Sequence, residues 1–302
     1  TLIKEAVTLR KLAKADPTAS KNQEFISKLD KTIERAYKAL EKGKDAEIEA
    51  ALQGMVRTRT HTDAFKAWFR NSKVVNSQGE PLIVYHGTPE GGFTEFDPTK
   101  QRDSIYGRGF YFVDDPEVAR GYAINTKSGK APIYSVYLSI TNPYSMTRRI
   151  SQETALKIAS KFAAEYTATV YRNGQNELFD SLWERSSNNI RTGADLLTFI
   201  RDYYEAAHGG YNNMIVEWFN ETIKFFGFDG IKSTSTDENT GKETTVWVAF
   251  NPTQIKSVYN PGGWNSESGD MLYQRVVDEN AEQPPLPFEE QRTPPITDTP
   301  PG

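Results

Sequence analysis

The sequence contains no cysteine and only three histidines among its 302 residues. The lack of cysteine excludes disulfide bonds and thiolate metal sites. His61, His86 and His208 lie far apart in the sequence, so a zinc site is not expected either, and we predict no metal. A reducing compartment is permitted by this composition.

Long apolar runs and a large excess of one charge are also missing. The first residues, TLIKEAVTLRKLAKADPTAS, alternate charged with apolar side chains, so neither a signal peptide nor a membrane span is predicted and a cytoplasmic location is expected. The net charge of −4 gives no general attraction to nucleic acid or to an anionic membrane. Because the chain does not begin with methionine, it is compatible with being a fragment of a longer polyprotein.

The pattern of residues divides the chain into three regions. Residues 1–58 are expected to form a helical segment, because apolar residues recur at helical spacing throughout residues 1–56, and a helical partner for them is the alternative to a simple hairpin or linker. Residues 62–275 have the composition of a folded domain. Residues 280–302, with PPLP and two TPP units among acidic residues, are predicted to be disordered, and the alternative is a proline-rich ligand.

The middle region combines strand and helix signals. DAFKAWF predicts a short helix and SKVVNSQGEPLIVYHGT a two-stranded hairpin, and strands are predicted in GFYFV, IYSVYLSI, FDGIKS and TTVWVAF. A helical insertion is predicted over about 150–227, whereas NPTQIKSVYNPGGWN is interpreted as irregular. Strands separated by a helical block predict an α+β fold.

Two segments of the middle region are the most informative. In LIVYHGT, residues 82–88, a strand delivers His86 and then Gly87, although a lone histidine in such a place is more often structural. In GRGFYFVDDPEVARGYA, residues 107–123, two glycines allow close backbone approach, Tyr111 lies on a strand, and Tyr122 follows eleven residues later on a predicted helix. Alone, this second segment could be a plain turn before a strand.

Together and in this order, the two segments resemble the H-Y-E branch of the ADP-ribosyltransferase superfamily, which includes poly(ADP-ribose) polymerases and diphtheria toxin. Residues 64–274, which also contain FKAWFRNSKVV, VAFNPTQIKS and MLYQ, are similar to the ADP-ribosyltransferase-like domain of polyvalent proteins of phages and mobile elements. The resemblance implies a split antiparallel β-sandwich that grips NAD between two small sheets. It would be preceded by a helical hairpin and interrupted by the helical insertion.

The resemblance also implies which residues bind NAD. Tyr111 and Tyr122 match the positions that sandwich the nicotinamide ring, the backbone of Gly87 matches the group that binds its amide, and His86 matches the residue that hydrogen-bonds the adenosine ribose. Ala119 replaces a serine that often binds the same amide, at a cost of roughly 1 kcal/mol for one neutral hydrogen bond. The full predicted set is His86, Gly87, Thr88, Arg102, Arg108, Gly109, Tyr111, Ala119, Tyr122 and Val246.

Two of these assignments have an equal alternative. Arg102 and Arg108 lie between the two nicotinamide motifs, where a guanidinium group would pair well with the pyrophosphate of NAD. The alternative is that both are surface charges.

The third catalytic position departs from the family. A glutamate on a later strand commonly binds the ribose hydroxyl and helps activate the acceptor, but the pattern TVWVAF places Val246 there. Valine accepts no hydrogen bond, so growth of a poly(ADP-ribose) chain is not expected. Glu243, three residues upstream, is the predicted substitute carboxylate, with a merely solvated side chain as the alternative and with Glu217 and Glu221 as more remote candidates. The predicted catalytic residues are His86, Tyr111 and Glu243.

The resulting expectation is a mono-ADP-ribosyltransferase that moves ADP-ribose from NAD to a macromolecular acceptor and releases nicotinamide. Protein is favoured over nucleic acid as acceptor because of the acidic charge balance, and the context implied is a phage or mobile-element effector inside a bacterial cell. NAD acts as substrate, without a metal. The alternatives are a catalytically impaired module that binds NAD or a partner protein, and an NAD glycohydrolase.

Overall fold

A seven-stranded mixed sheet forms the centre of the described part of the chain. The computed structural model describes residues 10–11, 13, 15–21, 23–40, 60–100, 105–123, 132–166, 175–210, 214–236, 241 and 243–273. The strands are β1 (Val84–Gly87), β2 (Phe110–Val113), β3 (Ile133–Leu138), β4 (Pro143–Ser145), β5 (Gly230–Thr236), β6 (Glu243–Ala249) and β7 (Ile255–Ser257). They lie in the order β4-β5-β6-β2-β1-β3-β7.

The sheet has two halves that meet at β1 and β2. Antiparallel pairing is extensive within each half, but β1 and β2 are in register at a single pair, Tyr85 opposite Val113. The predicted α+β class is confirmed, and the two small sheets implied by the resemblance are joined into one at this pair. Neighbouring strands are antiparallel except β4 and β5, which run parallel because the helical insertion between them returns the chain in the same direction.

Seven α-helices in the described residues surround the sheet. They are α1 (Gln23–Leu40), α2 (Asp63–Phe69), α3 (Pro116–Tyr122), α4 (Gln152–Tyr166), α5 (Gln175–Ser186), α6 (Gly193–His208) and α7 (Ile215–Phe225). α2 is the helix predicted from DAFKAWF, and α4, α6 and α7 correspond to the helical patterns of the predicted insertion. α6 begins with a capping box between Thr192 and Asp195, which fixes its start.

Two short strands, β4 and β7, were not predicted, and the interpretation of NPTQIKSVYNPGGWN as irregular is wrong where β7 forms. β7 lies in the segment that the sequence pattern suggested to be irregular, and β4 begins with a proline, which weakens any strand signal. Both have three residues and owe their conformation to a longer neighbour, β3 for β7 and β5 for β4. The first arm of the predicted hairpin is only a bridge between Val75 and Pro81.

Alternating side chains of the central strands supply two separate cores. Val113, Val246, Val248 and Ile231 face the insertion helices and α3, which form the larger core with them. The residues between them point the other way: Phe110, Phe112, Val84, Val136 and Trp247 pack in the second core. The insertion therefore covers the sheet face that carries Val246.

The N-terminal segment is not helical throughout, which corrects the prediction for residues 1–56. The chain leaves α-helical geometry at Asp16, which precedes Pro17, and forms a short 3-10 helix, Ala19–Lys21, before α1. The buried Asp16 carboxylate accepts hydrogen bonds from the backbone N–H of Thr18 at 2.8 Å and of Ser135 on β3 at 2.6 Å. This segment thus docks on the sheet, while residues 41–59 and the tail 274–302 lie outside the described residues.

Docking of Asp16 predicts a pH-dependent stability. Burial raises the pKa of the Asp16 carboxyl to about 6, against the opposing effect of its hydrogen bonds from Thr18 and Ser135. Because the pKa in the folded state lies above that in the unfolded chain, the stabilising contribution is complete below about pH 4 and is lost as the pH rises through about 6. We expect this group to lower the free energy of unfolding by about 3 kcal/mol across that interval.

Urea unfolding of the wild type and of Asp16→Ala at several pH values isolates this contribution. The difference in unfolding free energy between the two proteins should change with pH, whereas Asp30→Ala, which removes an exposed carboxylate paired with Arg10, should follow the wild type. A pH-independent difference for Asp16→Ala contradicts the prediction.

Candidate active site

β1 ends at Gly87, beside the place where β1 and β2 separate. The N–H of Thr88 donates to the carbonyl of Pro132 on the β3 side at 3.2 Å. Successive residues of a strand direct their backbone groups to opposite neighbours, so the N–H and C=O of Gly87 point toward β2. Since β1 and β2 are in register only at Tyr85 and Val113, these two groups face the opening between the strands.

His86 spans this opening with its ring. Its Nδ1 lies 2.8 Å from the carbonyl oxygen of Tyr111 on β2, and a carbonyl can only accept, so Nδ1 carries the hydrogen. Nε2 of the neutral ring is then an acceptor. Burial lowers the pKa of His86, which outweighs the opposing effect of this hydrogen bond and keeps the ring neutral near neutral pH.

The His86 ring and the Tyr111 ring lie on different faces of the sheet. His86 packs against Phe96 and Phe112, with ring centroids 5.0 and 5.6 Å away, on the side of the second core. Tyr111 packs against the larger core on the opposite side. The two residues are therefore joined through the Tyr111 backbone at the opening and not by ring contact.

Helix α3 lies directly on Gly87. A Cβ atom at residue 87 would come within 1.7 Å of the carbonyl oxygen of Ala119, so only glycine permits this approach. The Asp115 side chain caps α3 by accepting from the N–H of Glu117 at 2.7 Å, which fixes where the helix starts. Tyr122 ends the helix one turn beyond Ala119, and 62% of its surface is exposed.

The Tyr111 hydroxyl is held by the turn that precedes its own strand. It donates to the carbonyl of Gly107 at 2.5 Å. Gly107 has φ +89, and a Cβ there would lie 2.5 Å from Nδ2 of Asn220, so the turn is built against α7. Gly109 makes a similar approach to Val248 on β6, which confirms that both glycines of GRG serve close backbone packing.

The insertion helices hold the turn at residues 105–108 from three points. Asn220 Nδ2 donates to the carbonyl of Arg108 at 3.0 Å, and Arg201 donates to the carbonyl of Ile105 at 3.3 Å. The Arg108 guanidinium forms a 2.8 Å ion pair with Glu217. Any contact of Arg108 with the pyrophosphate of NAD must compete with Glu217, and Arg102 lies outside the described residues.

Val246 lies on the same sheet face as Tyr111, two residues along β6 from Val248, the residue that pairs with Tyr111. It stands opposite Val113 on one side and Ser233 on the other, and it is buried. The backbone of Glu243 pairs with Thr236 and lies three residues, or about 10 Å, from Val246 along β6. The side chain of Glu243 lies outside the described part of the structure. Of the other two carboxylate candidates, Glu217 pairs with Arg108 and Glu221 with Lys224, the latter at 2.6 Å.

The structure thus groups most, but not all, of the predicted residues. His86, Gly87, Tyr111 and Ala119 meet at the end of β1, and Tyr122 is one helical turn away. Thr88 follows directly, with its hydroxyl accepting from the N–H of Glu90 at 3.2 Å. Val246 lies on the adjacent row of the same sheet.

Sequence reasoning missed four residues near this site. They are Tyr85, Tyr106, Asn220 and Ser233. Asn220 carries no local signal, since its partner Arg108 is 112 residues away. Tyr85 faces the same side as Val113, and burial, followed by the charge of Asp115, raises its pKa to about 12, so its phenol cannot act as a base near neutral pH.

Removing the Asn220 side chain should disturb Tyr111 from a distance. In Asn220→Ala the carbonyl of Arg108 loses its donor, which should lower the free energy of unfolding by about 1–3 kcal/mol. Because the same turn accepts the Tyr111 hydroxyl, we also expect NAD affinity to fall severalfold. Urea unfolding and calorimetric titration with NAD measure the two effects. Glu221→Ala, on the same helix but in an exposed ion pair, should change neither, and an unaltered NAD affinity in Asn220→Ala contradicts the link.

A family match agrees with the motifs and the fold. The chain belongs to the family described as ADP-ribosyltransferase in polyvalent proteins, whose model matches residues 76–265. No curated protein and no solved structure matches the chain significantly. The match confirms the resemblance seen in the motifs, and it supports ADP-ribosyltransferase activity in general, for which NAD is the substrate.

Two further findings concern the described residues alone. None of their histidine, aspartate and glutamate side chains form a group of three that could hold a metal ion. None of the helices in those ranges is both long enough and apolar enough to cross a membrane.

Proposed function

We propose that this chain transfers a single ADP-ribose from NAD to a macromolecular acceptor and releases nicotinamide. Protein is the favoured acceptor, and the setting is the cytoplasm of a bacterial cell, where the protein acts as an effector of a phage or mobile element. Family membership supports the general activity. The restriction to a single transfer rests on Val246, which offers no carboxylate to bind or activate a growing chain.

The observation that carries the proposal is the contact of Gly87 with Ala119. It brings α3 over the opening between β1 and β2, where the N–H and C=O of Gly87 form a donor and acceptor pair suited to a carboxamide. Nicotinamide bound there would lie between the rings of Tyr111 and Tyr122, near Thr88 and Gly109. Ala119 would add no hydrogen bond to the amide.

His86 is proposed to hold the adenosine ribose. Its Nδ1–H is committed to the carbonyl of Tyr111, so Nε2 is the atom that would accept from a ribose hydroxyl. The same hydrogen bond fixes the ring orientation. The lowered pKa keeps Nε2 unprotonated across the neutral pH range.

The transfer breaks the bond between the ribose carbon and the nicotinamide nitrogen. The electron pair of that bond leaves with nicotinamide, and positive charge develops on the ribose. A nucleophilic atom of the acceptor then bonds to the same carbon and loses its proton. Since Val246 cannot take this proton, we assign the role of base to Glu243 or to a carboxylate of the acceptor.

The proposal is tested with NAD labelled in its adenosine half, incubated with the full chain and a bacterial lysate. We expect nicotinamide release together with label on a macromolecule as a single unit, sensitive to protease. Glu243→Gln should slow the transfer without changing NAD affinity, and Glu221→Gln is the matched control because its carboxylate is engaged with Lys224.

The other outcomes separate the alternatives. Nicotinamide release without labelled acceptor indicates a glycohydrolase, and NAD binding without release indicates a binding module. Label in long chains contradicts single transfer, and nuclease-sensitive label contradicts a protein acceptor. A wild-type protein that neither binds NAD nor releases nicotinamide contradicts the proposal.

A further inference from the structure

The absence of a carboxylate at Val246 raises the question of which group contacts the ribose next to nicotinamide. Ser233 on β5 is directly opposite Val246, so both side chains lie on the same sheet face, with Cβ atoms about 5 Å apart. The Ser233 hydroxyl donates to the hydroxyl of Tyr106 at 2.8 Å. A pair of hydroxyls therefore stands beside the position of the missing carboxylate.

The Tyr106 hydroxyl can still donate a hydrogen bond. It accepts from Ser233, and its own hydrogen has no acceptor within the part of the chain that the structure describes. Ser233 is 2% exposed, whereas Tyr106 is only half-buried, so Tyr106 is the more exposed member of the pair. A hydrogen-bond donor directed at a sugar hydroxyl is the chemistry that this arrangement offers.

Tyr106 and Tyr111 are positioned by the same turn. Tyr106 directly precedes Gly107, whose carbonyl accepts the Tyr111 hydroxyl, and Arg108 is fixed by Asn220 and Glu217. The row that contains Val246 and Ser233 lies two residues, or about 7 Å, from the row that contains Gly87 and Tyr111. Because the family position that Val246 occupies commonly binds the ribose hydroxyl, a ribose attached to a nicotinamide on Gly87 is expected to extend toward this row.

We infer that the Tyr106 hydroxyl, oriented by Ser233, donates a hydrogen bond to a hydroxyl of the nicotinamide ribose in place of the missing carboxylate. The inference rests on the proposed function of the same site. A phenol in this role positions the sugar but takes no proton from the acceptor. It therefore supplies the binding half of the glutamate's work and leaves proton removal to another group, in keeping with single transfer.

The test pairs a protein change with a matched change in the substrate. Tyr106→Phe is compared with the wild type for affinity and for nicotinamide release, using NAD and an NAD analogue deoxygenated on the nicotinamide ribose. With NAD we expect a roughly five- to tenfold loss of kcat/KM, the size of one hydrogen bond, and with the analogue no further loss. Ser233→Ala should give a smaller loss with the same dependence on the substrate.

Controls separate this role from packing. Tyr144→Phe removes a buried phenol hydroxyl from the same core, on β4, and should leave kcat/KM unchanged with both NAD and the analogue. The melting temperature of Tyr106→Phe should stay close to that of the wild type, since the ring is retained. An equal loss on NAD and on the analogue would show a structural effect and overturn the inference.

The remaining results are equally decisive. An active wild type with an unaffected Tyr106→Phe overturns the inference and leaves the proposed function standing. A wild type that does not bind NAD removes the proposed function and the inference with it.

Discussion

Replacing Gly87 with alanine is expected to abolish measurable NAD binding. The added Cβ would lie 1.7 Å from the carbonyl oxygen of Ala119, an overlap with backbone that no rotamer change relieves. Helix α3 must then move off β1, which displaces Tyr122 and closes or distorts the opening that the Gly87 backbone faces. We expect NAD affinity to fall by at least about a hundredfold, and stability to fall by about 1–3 kcal/mol through overpacking.

Gly210→Ala is the matched control for this substitution. A Cβ at Gly210 meets no atom within 4 Å, and the residue is exposed, so its stability and NAD affinity should match those of the wild type. Calorimetric titration with NAD and urea unfolding measure both effects. Wild-type affinity in a folded Gly87→Ala protein would rule out the Gly87 backbone as the amide-binding group.

Replacing His86 separates its two nitrogen atoms. In His86→Asn the side-chain amide can still donate to the carbonyl of Tyr111, but the acceptor at Nε2 is lost. We expect about a tenfold loss of NAD affinity, the size of one hydrogen bond, with stability near that of the wild type. His86→Ala loses both contacts, so its NAD affinity should fall further and its free energy of unfolding should drop by about 1–3 kcal/mol as the Tyr111 carbonyl loses its donor.

The pH dependence of NAD affinity gives a second measurement on the same ring. Because burial lowers the pKa of His86, protonation of Nε2, and the loss of NAD affinity that it causes, should begin at a lower pH than for an ordinary imidazole. A decline that follows the titration of an ordinary imidazole, or an unchanged affinity in both His86 variants, contradicts the assignment.

The insertion has a role at the site that its sequence does not reveal. Its periodicity predicts helices with one buried face, and those helices are present in α4, α6 and α7. Which buried polar group would reach back to the turn at Arg108 does not follow from periodicity, because Asn220 is one polar residue among the apolar positions of α7. The contact depends on how the helices pack over the sheet.

The sequence and the strand register also point to different residues as substitutes for the missing glutamate. The pattern of β6 alone places a valine at the glutamate position, and spacing alone suggests Glu243 as its nearest substitute. Register then shows that the backbone of Glu243 lies about 10 Å along the strand, whereas Ser233, from a strand that precedes a polar loop, stands directly beside Val246. Ser233 and Tyr106 are far from Val246 in the sequence and are brought near it only by strand pairing and packing. Spacing along the sequence therefore could not identify them.

By itself the sequence determined the α+β class, the strands that carry His86 and Tyr111, the helix that carries Tyr122 and the family to which they belong, because each of these follows from local residue patterns and from their order along the chain. Only the tertiary structure decided that α3 rests on Gly87, that His86 bridges β1 and β2, that Asp16 docks on β3 and that hydroxyls adjoin Val246. These contacts join residues from distant parts of the chain. Their geometry is set by strand register and helix packing, which leave no periodic trace in the order of the amino acids.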